Sequence, residues 1–560
     1  MPQLPTLLLL ILLAPLLTGA ALPLALAAPR QPLGATPACP RLYYGDPAAL
    51  LAALPMADYA CTEELAAALR PQARQQHVAA LLALAQHGHD PRAQRNALRT
   101  LGRIAASPPQ THAYELLRRT YGAAMQSLAV EMLLTQNDNF LLQDAVWLLD
   151  AFYFPSFGAA PALEAVAHHP AHAPALRYRA ASSRARLVAA RPGALHTHDY
   201  AFIQAGLASA DAGVRTAAAN AVAHLRPEQQ AGHTPQLSAA LRTAWHHEPP
   251  LSLAADPPDA RASNQFTFAE SSPTSLSARV AIARARDHLD GHGQQHEEDI
   301  RHTYTSLALP HTFVGTKISL HSNMPLAQRH TLLTEAETTL AALATLLGPD
   351  LAQPLADAST PRLTIFIFER QGIFRDYMRA FTNFSVDVDG IYAEQSATIY
   401  TYQRSATQSA NTLAESLRHE VAHHYAATHL FPGDWHRPGY HTEPKGWADE
   451  GLAELAAGWG PSGFLPRQAQ LGRLCARAHL PPLTPLLARR EGYDHFGHFD
   501  YDAAWAFTFY MAHDQPAALR RLYAAYRDGS YRLVHWETIA GLSLPATEEA
   551  WHDALRAWCN

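Results

Sequence analysis

The pattern His-Glu-x-x-His at residues 419–423 is the part of the sequence with the clearest chemical potential. On a helix, positions i and i+4 lie on one face, so the imidazoles of His419 and His423 can bind one Zn²⁺. Glu420 then lies beside the open coordination position, where it can take a proton from a metal-bound water. Because the chain contains 32 His, this short pattern is only suggestive without a third ligand.

A third ligand is predicted on a second helical segment that begins near Trp447. Glu450 follows His423 after a loop rich in Pro and Gly, which lets the second segment fold back against the first. Its carboxylate would complete a zinc site of two His and one Glu, with the fourth position left to water. Glu454, one helical turn later, can accept a hydrogen bond from a ligand histidine. The alternative for Glu450 and Glu454 is a solvated helix face.

Other histidines near the pattern are predicted to be packing or surface residues. His424 and His429 lie off the face that His419 and His423 share. The adjacent pair His246-His247 lies far away in the sequence. We therefore expect none of these four to bind the metal.

Strands and a helix must position these residues, and the second half of the chain has patterns for both. Leu363–Phe368 is an apolar run of β-branched and aromatic residues, which predicts a buried strand. Segments 390–393 and 397–402 predict two further strands, joined by a turn through 394–396. Apolar residues at every fourth position predict a helix over 411–425, which carries the histidine pattern.

The first half of the chain is predicted to be an array of helices. Residues 50–245 are rich in Ala and Leu, and strand-like alternation is scarce. Segments 90–101 and 211–222 each begin with an Asp suited to an N-cap and resemble the second helix of a HEAT-type repeat. An ordinary helical bundle is the alternative, because the repeat period is irregular. The predicted bounds are 29–260 for the helical domain, 261–293 for a linker rich in Pro and Ser, and 294–560 for the second domain.

The N-terminus, the cysteines and the charge indicate an exported protein. Residues 1–28 have the apolar core and small-residue cleavage sites of a signal peptide, which predicts a secreted or periplasmic chain with no membrane association after cleavage. An uncleaved anchor is the alternative. Four Cys suit two disulfides, and Cys39–Cys61 with Cys475–Cys559 is the simplest of three pairings. A net charge of −6 without a basic stripe argues against a nucleic-acid partner.

The second half resembles the bacterial collagenases, secreted zinc metallopeptidases of the gluzincin type. The order and spacing of five motifs carry the resemblance: Gly390-Ile391-Tyr392-Ala393-Glu394, Tyr400-Thr401-Tyr402, Glu415-Ser416-Leu417-Arg418-His419-Glu420, Pro432-Gly433-Asp434-Trp435 and Trp447-Ala448-Asp449-Glu450-Gly451. It implies an α+β, mostly α fold. A HEAT-like α-solenoid activator domain would precede a thermolysin-like zincin domain with a small mixed β-sheet and an active-site helix. It also implies zinc ligation by His419, His423 and Glu450, with Glu420 as the general base.

A structural calcium ion is also implied by the resemblance. Its carboxylate ligand falls on Glu394, and its main-chain carbonyl ligands fall on Ala427, Phe431 and Gly433. Calcium prefers such hard oxygen ligands. The alternative for Glu394 is a plain turn residue.

Two elements of substrate handling are implied in the same way. The family's substrate-facing edge strand falls on Gly390, Ile391 and Tyr392, where an extended peptide can add through main-chain hydrogen bonds. The family's transition-state-stabilising tyrosine falls near Tyr493 and Tyr501, and Tyr493 is the predicted one. A core aromatic is the alternative for either.

The sequence thus predicts a secreted zinc metalloendopeptidase that hydrolyses collagen- or gelatin-like protein substrates. The alternatives are a non-collagenolytic zinc oligopeptidase or aminopeptidase, and an inactive zincin-fold binding scaffold. We expect the chain after the peptidase region to be too short for the collagen-binding modules of the family's larger members. We therefore expect peptide-bond hydrolysis but inefficient attack on insoluble collagen fibres. The oligomeric state stays open.

Overall fold

The chain is mostly helical, with a small mixed sheet in its second half, as the predicted α+β class requires. The computed structural model describes residues 54, 62, 75–88, 90–105, 120–151, 157–253, 273–355, 362–382, 384, 388–405, 408–433, 440, 443–477, 479–489 and 500–559. The predicted signal peptide, Cys39 and Cys61 lie outside these residues. Within the described ranges, no helix is both long enough and apolar enough to cross a bilayer.

The first half consists of successive helices that bury their apolar faces against one another. The two segments predicted to begin with a capping Asp are both helical. Asp90 accepts a hydrogen bond from Arg92 N at 2.9 Å, and Asp211 accepts one from Val214 N at 2.9 Å. The helices are α1 Gln75–His87, α2 Pro91–Ala105, α3 Gly122–Thr135, α4 Asn139–Asp150, α5 Ala160–His168, α6 Pro174–Ala190, α7 Thr197–Leu207, α8 Ala212–Ala223, α9 Pro227–Gln230 and α10 Thr234–His247.

The segment predicted as a linker, 261–293, contains a helix, α11 (Ser275–Asp290). Ile282 belongs to the same apolar cluster as the buried residues of α10. Val280, on the same helix, belongs to a cluster with Tyr377 of the second half. The linker prediction was wrong for this stretch. The Pro and Ser residues before α11 did not indicate that a helix follows and packs against both α10 and the second half. The domain bounds themselves stay a prediction.

The mixed sheet has the strand order β1-β2-β3-β5-β4. Strands β2, β3 and β5 run parallel, and β1 and β4 pair antiparallel at the two edges. The three strands predicted from the sequence are therefore confirmed, and β4 is placed at an edge. The strands and the helices that precede and connect them are α12 Gln295–Ala308, β1 His311–Val314, β2 Ile318–Ser322, α13 Leu326–Leu347, β3 Leu363–Phe368, α14 Gln371–Phe381, β4 Gly390–Ala393 and β5 Thr398–Tyr402.

The helix that carries the histidine pattern, α15 (Leu413–His429), begins with a capping box. Glu415 N donates to Thr412 Oγ1 at 3.2 Å, and Thr412 N donates to Glu415 Oε2 at 2.7 Å. Leu417 and Val421 are fully buried in an apolar cluster with the strands of the mixed sheet. Since residues two positions apart project to nearly opposite sides of a helix, the histidine pair faces away from the sheet.

The second acidic segment is α16 (Gly446–Ala457), which packs between α15 and a later helix, α19 (Tyr501–Asp514). Gly451 makes the second of these contacts possible, because an added Cβ would lie 2.2 Å from Thr508 Oγ1 and 2.8 Å from Ala504 O. The remaining elements are β6 Trp459–Gly460, β7 Gly463–Phe464, α17 Gln468–Cys475, α18 Leu483–Leu487, α19 Tyr501–Asp514, α20 Pro516–Arg527, α21 Trp536–Ala540 and α22 Leu544–Cys559.

A disulfide joins the ends of α17 and α22. It links Cys475 to Cys559, 84 residues apart in the chain. This half of the predicted pairing is confirmed. The bond closes a large loop, which lowers the conformational entropy of the unfolded chain.

Candidate metal centre

Three ligand atoms from α15 and α16 converge on one point. His419 Nε2 and His423 Nε2 are 3.1 Å apart, and each lies 3.5 Å from Glu450 Oε2. Glu450 Oε2 is buried and has no hydrogen-bond partner. A buried carboxylate oxygen without a partner beside two imidazole nitrogens is the donor set that a divalent zinc ion satisfies. Among the described residues, no other group of three such side chains comes this close together.

Arg418 fixes the two helices relative to one another. Its guanidinium donates to Ala457 O, at the end of α16, from Nε at 3.1 Å and from Nη2 at 2.9 Å. Its Nη1 also lies 2.9 Å from Glu335 Oε2 on α13. The C-terminal end of α16 is thus tied to Arg418, the residue that precedes His419. This contact keeps Glu450 next to the histidine pair.

Each histidine also has a carboxylate partner at its second ring nitrogen. His423 Nδ1 lies 2.9 Å from Asp449 Oδ1, and His419 Nδ1 lies 3.3 Å from Glu454 Oε1. Sequence reasoning singled out Glu454 but missed Asp449. The available signal was its position directly before Glu450. Two adjacent residues of one helix can contact two different side chains on the neighbouring helix. Such partners orient the imidazoles and raise their basicity.

The electrostatics of the cluster favour a bound cation. Burial lowers the pKa of His423, but the Asp449 and Glu450 carboxylates outweigh this effect and raise the pKa well above its ordinary value. Burial raises the pKa of Glu450, but His423 and His419 outweigh it and hold this pKa below its ordinary value. The raised pKa of His423 reflects the carboxylates beside it, and the lowered pKa of Glu450 reflects its two imidazole neighbours.

Glu420 lies in the same cavity, against β4. It is only 6% exposed, and it accepts a hydrogen bond from the backbone N–H of Tyr392. An added Cβ at Gly390 would lie 3.1 Å from both Glu420 Cγ and Oε1. Burial raises the pKa of Glu420, and the Glu450 carboxylate adds to the rise against the opposing effect of the two histidines. A carboxylate of raised pKa accepts a proton more readily near neutral pH.

Asp389 anchors the beginning of β4 beside Glu420. Its carboxylate accepts from Tyr402 Oη at 3.2 Å and from Ser409 Oγ, and it lies 3.3 Å from Arg404 Nη1. Arg404 Nη2 also donates to Asp389 O at 2.5 Å. The Arg404 side chain is 1% exposed, so this network is buried at its core. Arg404 Nη1 also donates to Ser416 Oγ on α15 at 3.0 Å, so the network ties the edge strand to the helix that carries the histidines.

The cavity around the centre has a volume of about 1680 Å³. The predicted substrate-facing residues Gly390, Ile391 and Tyr392 line it from the edge strand. Tyr501 lines it from the start of α19 and is 37% exposed. Tyr493, the predicted stabilising tyrosine, lies outside the described residues.

The residues assigned to calcium lie around α15. Glu394 begins the turn after β4, and Glu394, Ala427 and Phe431 line the same cavity as the histidines. Gly433 follows the end of α15 with a φ of 117°. The Lys445 ammonium lies in this wall as well, 5.4 Å from the centroid of the Phe431 ring.

His424 and His429 make packing contacts instead of joining the metal-ligand cluster. His424 Nδ1 lies 3.1 Å from Tyr392 Oη, and the His429 ring stacks on Tyr425 with centroids 4.2 Å apart. Burial lowers the pKa of both histidines to about 4, so both are neutral near pH 7. The sequence-based interpretation of these two residues is confirmed.

Comparison with known proteins points to one peptidase family. A family model described as collagenase matches residues 277–543, which include every residue of the metal-ligand cluster. Collagenase ColT of Clostridium tetani is 30% identical over 151 residues, which are 26% of this chain and 14% of that protein. Collagenase ColA of Clostridium perfringens is 35% identical over 97 residues, 17% of this chain and 9% of that protein. Collagenase ColQ1 of Bacillus cereus is 29% identical over 152 residues, 27% of this chain and 15% of that protein.

The matched segments span less than a sixth of each relative, so they compare a region and not whole proteins. The family match covers the mixed sheet, α15 and α16, which together build the centre. The part of this chain between residues 277 and 543 therefore belongs to the bacterial collagenase family.

Proposed function

We propose that this chain is a secreted zinc metalloendopeptidase. The convergence of His419, His423 and Glu450, with the unpartnered buried oxygen Glu450 Oε2, is the observation that carries the proposal. When bound there, zinc would supply a Lewis acid that polarises a peptide carbonyl and lowers the pKa of water. The matched relatives are collagenases by name, which supports peptide bonds as the target.

Glu420 is the general base of the proposed reaction. Its carboxylate takes the proton of the attacking water and passes it to the nitrogen of the leaving amine. Tyr392 N–H and the close approach of Gly390 hold the carboxylate in place. Asp449 accepts the Nδ1 proton of His423. The lone pair of His423 Nε2 then points toward the centre.

An extended peptide is the proposed substrate form. Strand β4 pairs with β5 on one side and is the last strand of the sheet on the other, so a substrate strand can add along Gly390–Tyr392. Collagen- or gelatin-like chains are the proposed substrate class.

We also propose that residues 294–560 form a gluzincin domain and that 29–260 form a HEAT-like activator domain, since successive packed helices suit a broad binding surface.

A tyrosine is proposed to stabilise the oxyanion of the tetrahedral intermediate. Tyr493 is the residue assigned by resemblance, and Tyr501 is the second candidate because it lines the cavity. Replacement of each tyrosine by Phe distinguishes them. Only the variant that lacks the hydroxyl donor to the oxyanion should have a lower turnover with unchanged zinc content.

Calcium binding by Glu394, Ala427, Phe431 and Gly433 is also part of the proposal. The shared cavity wall of the first three residues supports it. The ammonium of Lys445 beside Phe431 predicts weak affinity, because a second cation there is repelled. Calcium titration of the zinc-loaded protein, followed by its thermal unfolding, measures this affinity.

Metal analysis combined with the substitution Glu420→Gln tests the function. The wild-type chain is expected to hold one zinc per molecule and to cleave gelatin and peptides with blocked N-termini. Glu420→Gln is expected to retain zinc and to lose roughly 10²–10⁴-fold in turnover. Glu549→Gln, the same change at an exposed position on α22, is the matched control and should leave both unchanged.

Each failure has a separate meaning. Near-wild-type turnover by Glu420→Gln would refute the general-base role. Zinc far below one per chain would indicate an inactive scaffold, and trimming restricted to free N-termini would indicate an aminopeptidase.

A further inference from the structure

We propose that Arg467 is a positioning residue for the metal centre, acting through Glu454 on His419. Its guanidinium holds the Glu454 carboxylate against His419 Nδ1, so that His419 Nε2 stays turned toward the bound ion. This inference rests on the proposed zinc function and assigns a role to a residue that lies outside both metal-binding helices.

Arg467 is the last residue before α17 and reaches back under α16. Its side chain is 4% exposed, and Nη1 binds Glu454 Oε2. Its Nη2 donates to Asn411 Oδ1 at 2.6 Å, just before the start of α15, and lies 3.9 Å from Glu415 Oε1. One buried guanidinium therefore ties the end of α16 to the beginning of α15.

The two oxygens of Glu454 face different partners, and Oε2 also lies 3.3 Å from Gln470 Nε2. Oε2 faces Arg467, and Oε1 lies 3.3 Å from His419 Nδ1. The geometry forms a chain from the guanidinium through the carboxylate to the imidazole. Charge-assisted hydrogen bonds of this kind fix orientation more strongly than neutral ones.

The two carboxylate partners of the histidines differ in their need for a cation. The Asp449 side chain is 23% exposed, so water stabilises its charge. The Glu454 side chain is 9% exposed, and a buried carboxylate without an ionic partner is strongly destabilising. Burial lowers the pKa of Arg467 to about 10, which still leaves it cationic at neutral pH. Arg467 thus stabilises the charge of the buried Glu454, as water stabilises the charge of the more exposed Asp449.

Loss of the guanidinium is expected to release Glu454 from its place. The uncompensated carboxylate turns toward other donors, and the His419 ring loses the acceptor that fixes it. Such partners of metal-binding histidines are typically worth 10–100-fold in metal affinity. The expected effect therefore falls on zinc affinity and on turnover, while KM for a peptide substrate stays unchanged.

Zinc affinities of Arg467→Met and Arg184→Met, measured by competition with a chromophoric chelator, test the proposal. Arg184 is the matched control, because its side chain is 0% exposed and pairs with Glu164 and Asp199 in the N-terminal array. Both variants are expected to lose thermal stability. Only Arg467→Met is expected to bind zinc roughly 10–100-fold more weakly, and Arg467→Lys should recover part of that loss.

A double variant separates action through Glu454 from general loosening of the fold. If Arg467 acts through Glu454, Arg467→Met should lower zinc affinity no further in a Glu454→Gln background. Additive losses, or a zinc affinity of Arg467→Met within two-fold of wild type, would overturn the proposal. If Arg467→Met does not fold, Arg467→Lys with and without Glu454→Gln gives the same comparison. Failure of the wild-type chain to bind zinc would instead overturn the proposed function.

Discussion

Replacing Gly390 with Ala should reduce turnover by displacing Glu420. Gly390 lies on the edge strand, and its φ is outside the left-handed region, so Ala fits the backbone. The added Cβ would lie 3.1 Å from Glu420 Cγ, 3.1 Å from Oε1 and 3.4 Å from Cδ. The change therefore acts by steric contact on Glu420, the proposed general base.

The size of the effect follows from these contacts. Carbon atoms in ordinary contact are about 3.5–4.0 Å apart, so Glu420 must move by roughly half an ångström. Since the side chain is only 6% exposed, it moves within a packed wall and not into solvent. A misplacement of about 1 Å can cost about 10²-fold in rate, so half of that displacement predicts a loss of about tenfold in kcat. This loss corresponds to about 1.4 kcal/mol of activation free energy.

Steady-state kinetics on a blocked peptide, with zinc content measured in parallel, is the assay. Gly472→Ala is the matched control, because an added Cβ there meets no atom of the described chain within 4 Å and the residue lies on α17. We expect Gly472→Ala to keep wild-type kcat, and both variants to keep one zinc per chain. A kcat for Gly390→Ala within two-fold of wild type would refute the steric reasoning. A raised KM with unchanged kcat would mean that the glycine serves the substrate instead of the base.

Two further predictions follow from the same structure. Asp449→Asn should weaken zinc binding by roughly 10–100-fold, because His423 Nδ1 loses a charged acceptor at 2.9 Å; chelator competition measures this, and an unchanged affinity would contradict it. Burial raises the pKa of Asp376 to about 6, so between its ordinary pKa and this value the folded chain keeps a proton that the unfolded chain has released. Stability contributed by this group is therefore lost as pH rises through about 6, and Asp376→Asn should recover up to about 3 kcal/mol at pH 8 but little at pH 4. Thermal unfolding at the two pH values checks the difference, and an equal gain at both would count against the assignment.

Local patterns in the sequence were sufficient to predict the elements that carry the candidate metal centre. The i, i+4 spacing of His419 and His423 and the apolar stripe of α15 both depend on the geometry of one helix, which the chain specifies by itself. The strand at 363–368 was predictable for the same reason, since its apolar and β-branched residues identify it without knowledge of its neighbours. Glu450 could be proposed because a turn-rich loop brings the next helix back over a short stretch of chain.

Tertiary packing alone decided which other side chains serve these residues. Arg467 reaches Glu454 because α16 ends against the segment before α17, and Gly390 touches Glu420 because β4 pairs at the edge of the sheet beside α15. The helix at 275–290 could not be recognised as a bridge between the halves, because its partners are far away in the sequence. Helix and strand periodicity records which face of an element is apolar. It does not record which element will cover that face, since this depends on contacts between distant segments that form together when the chain folds.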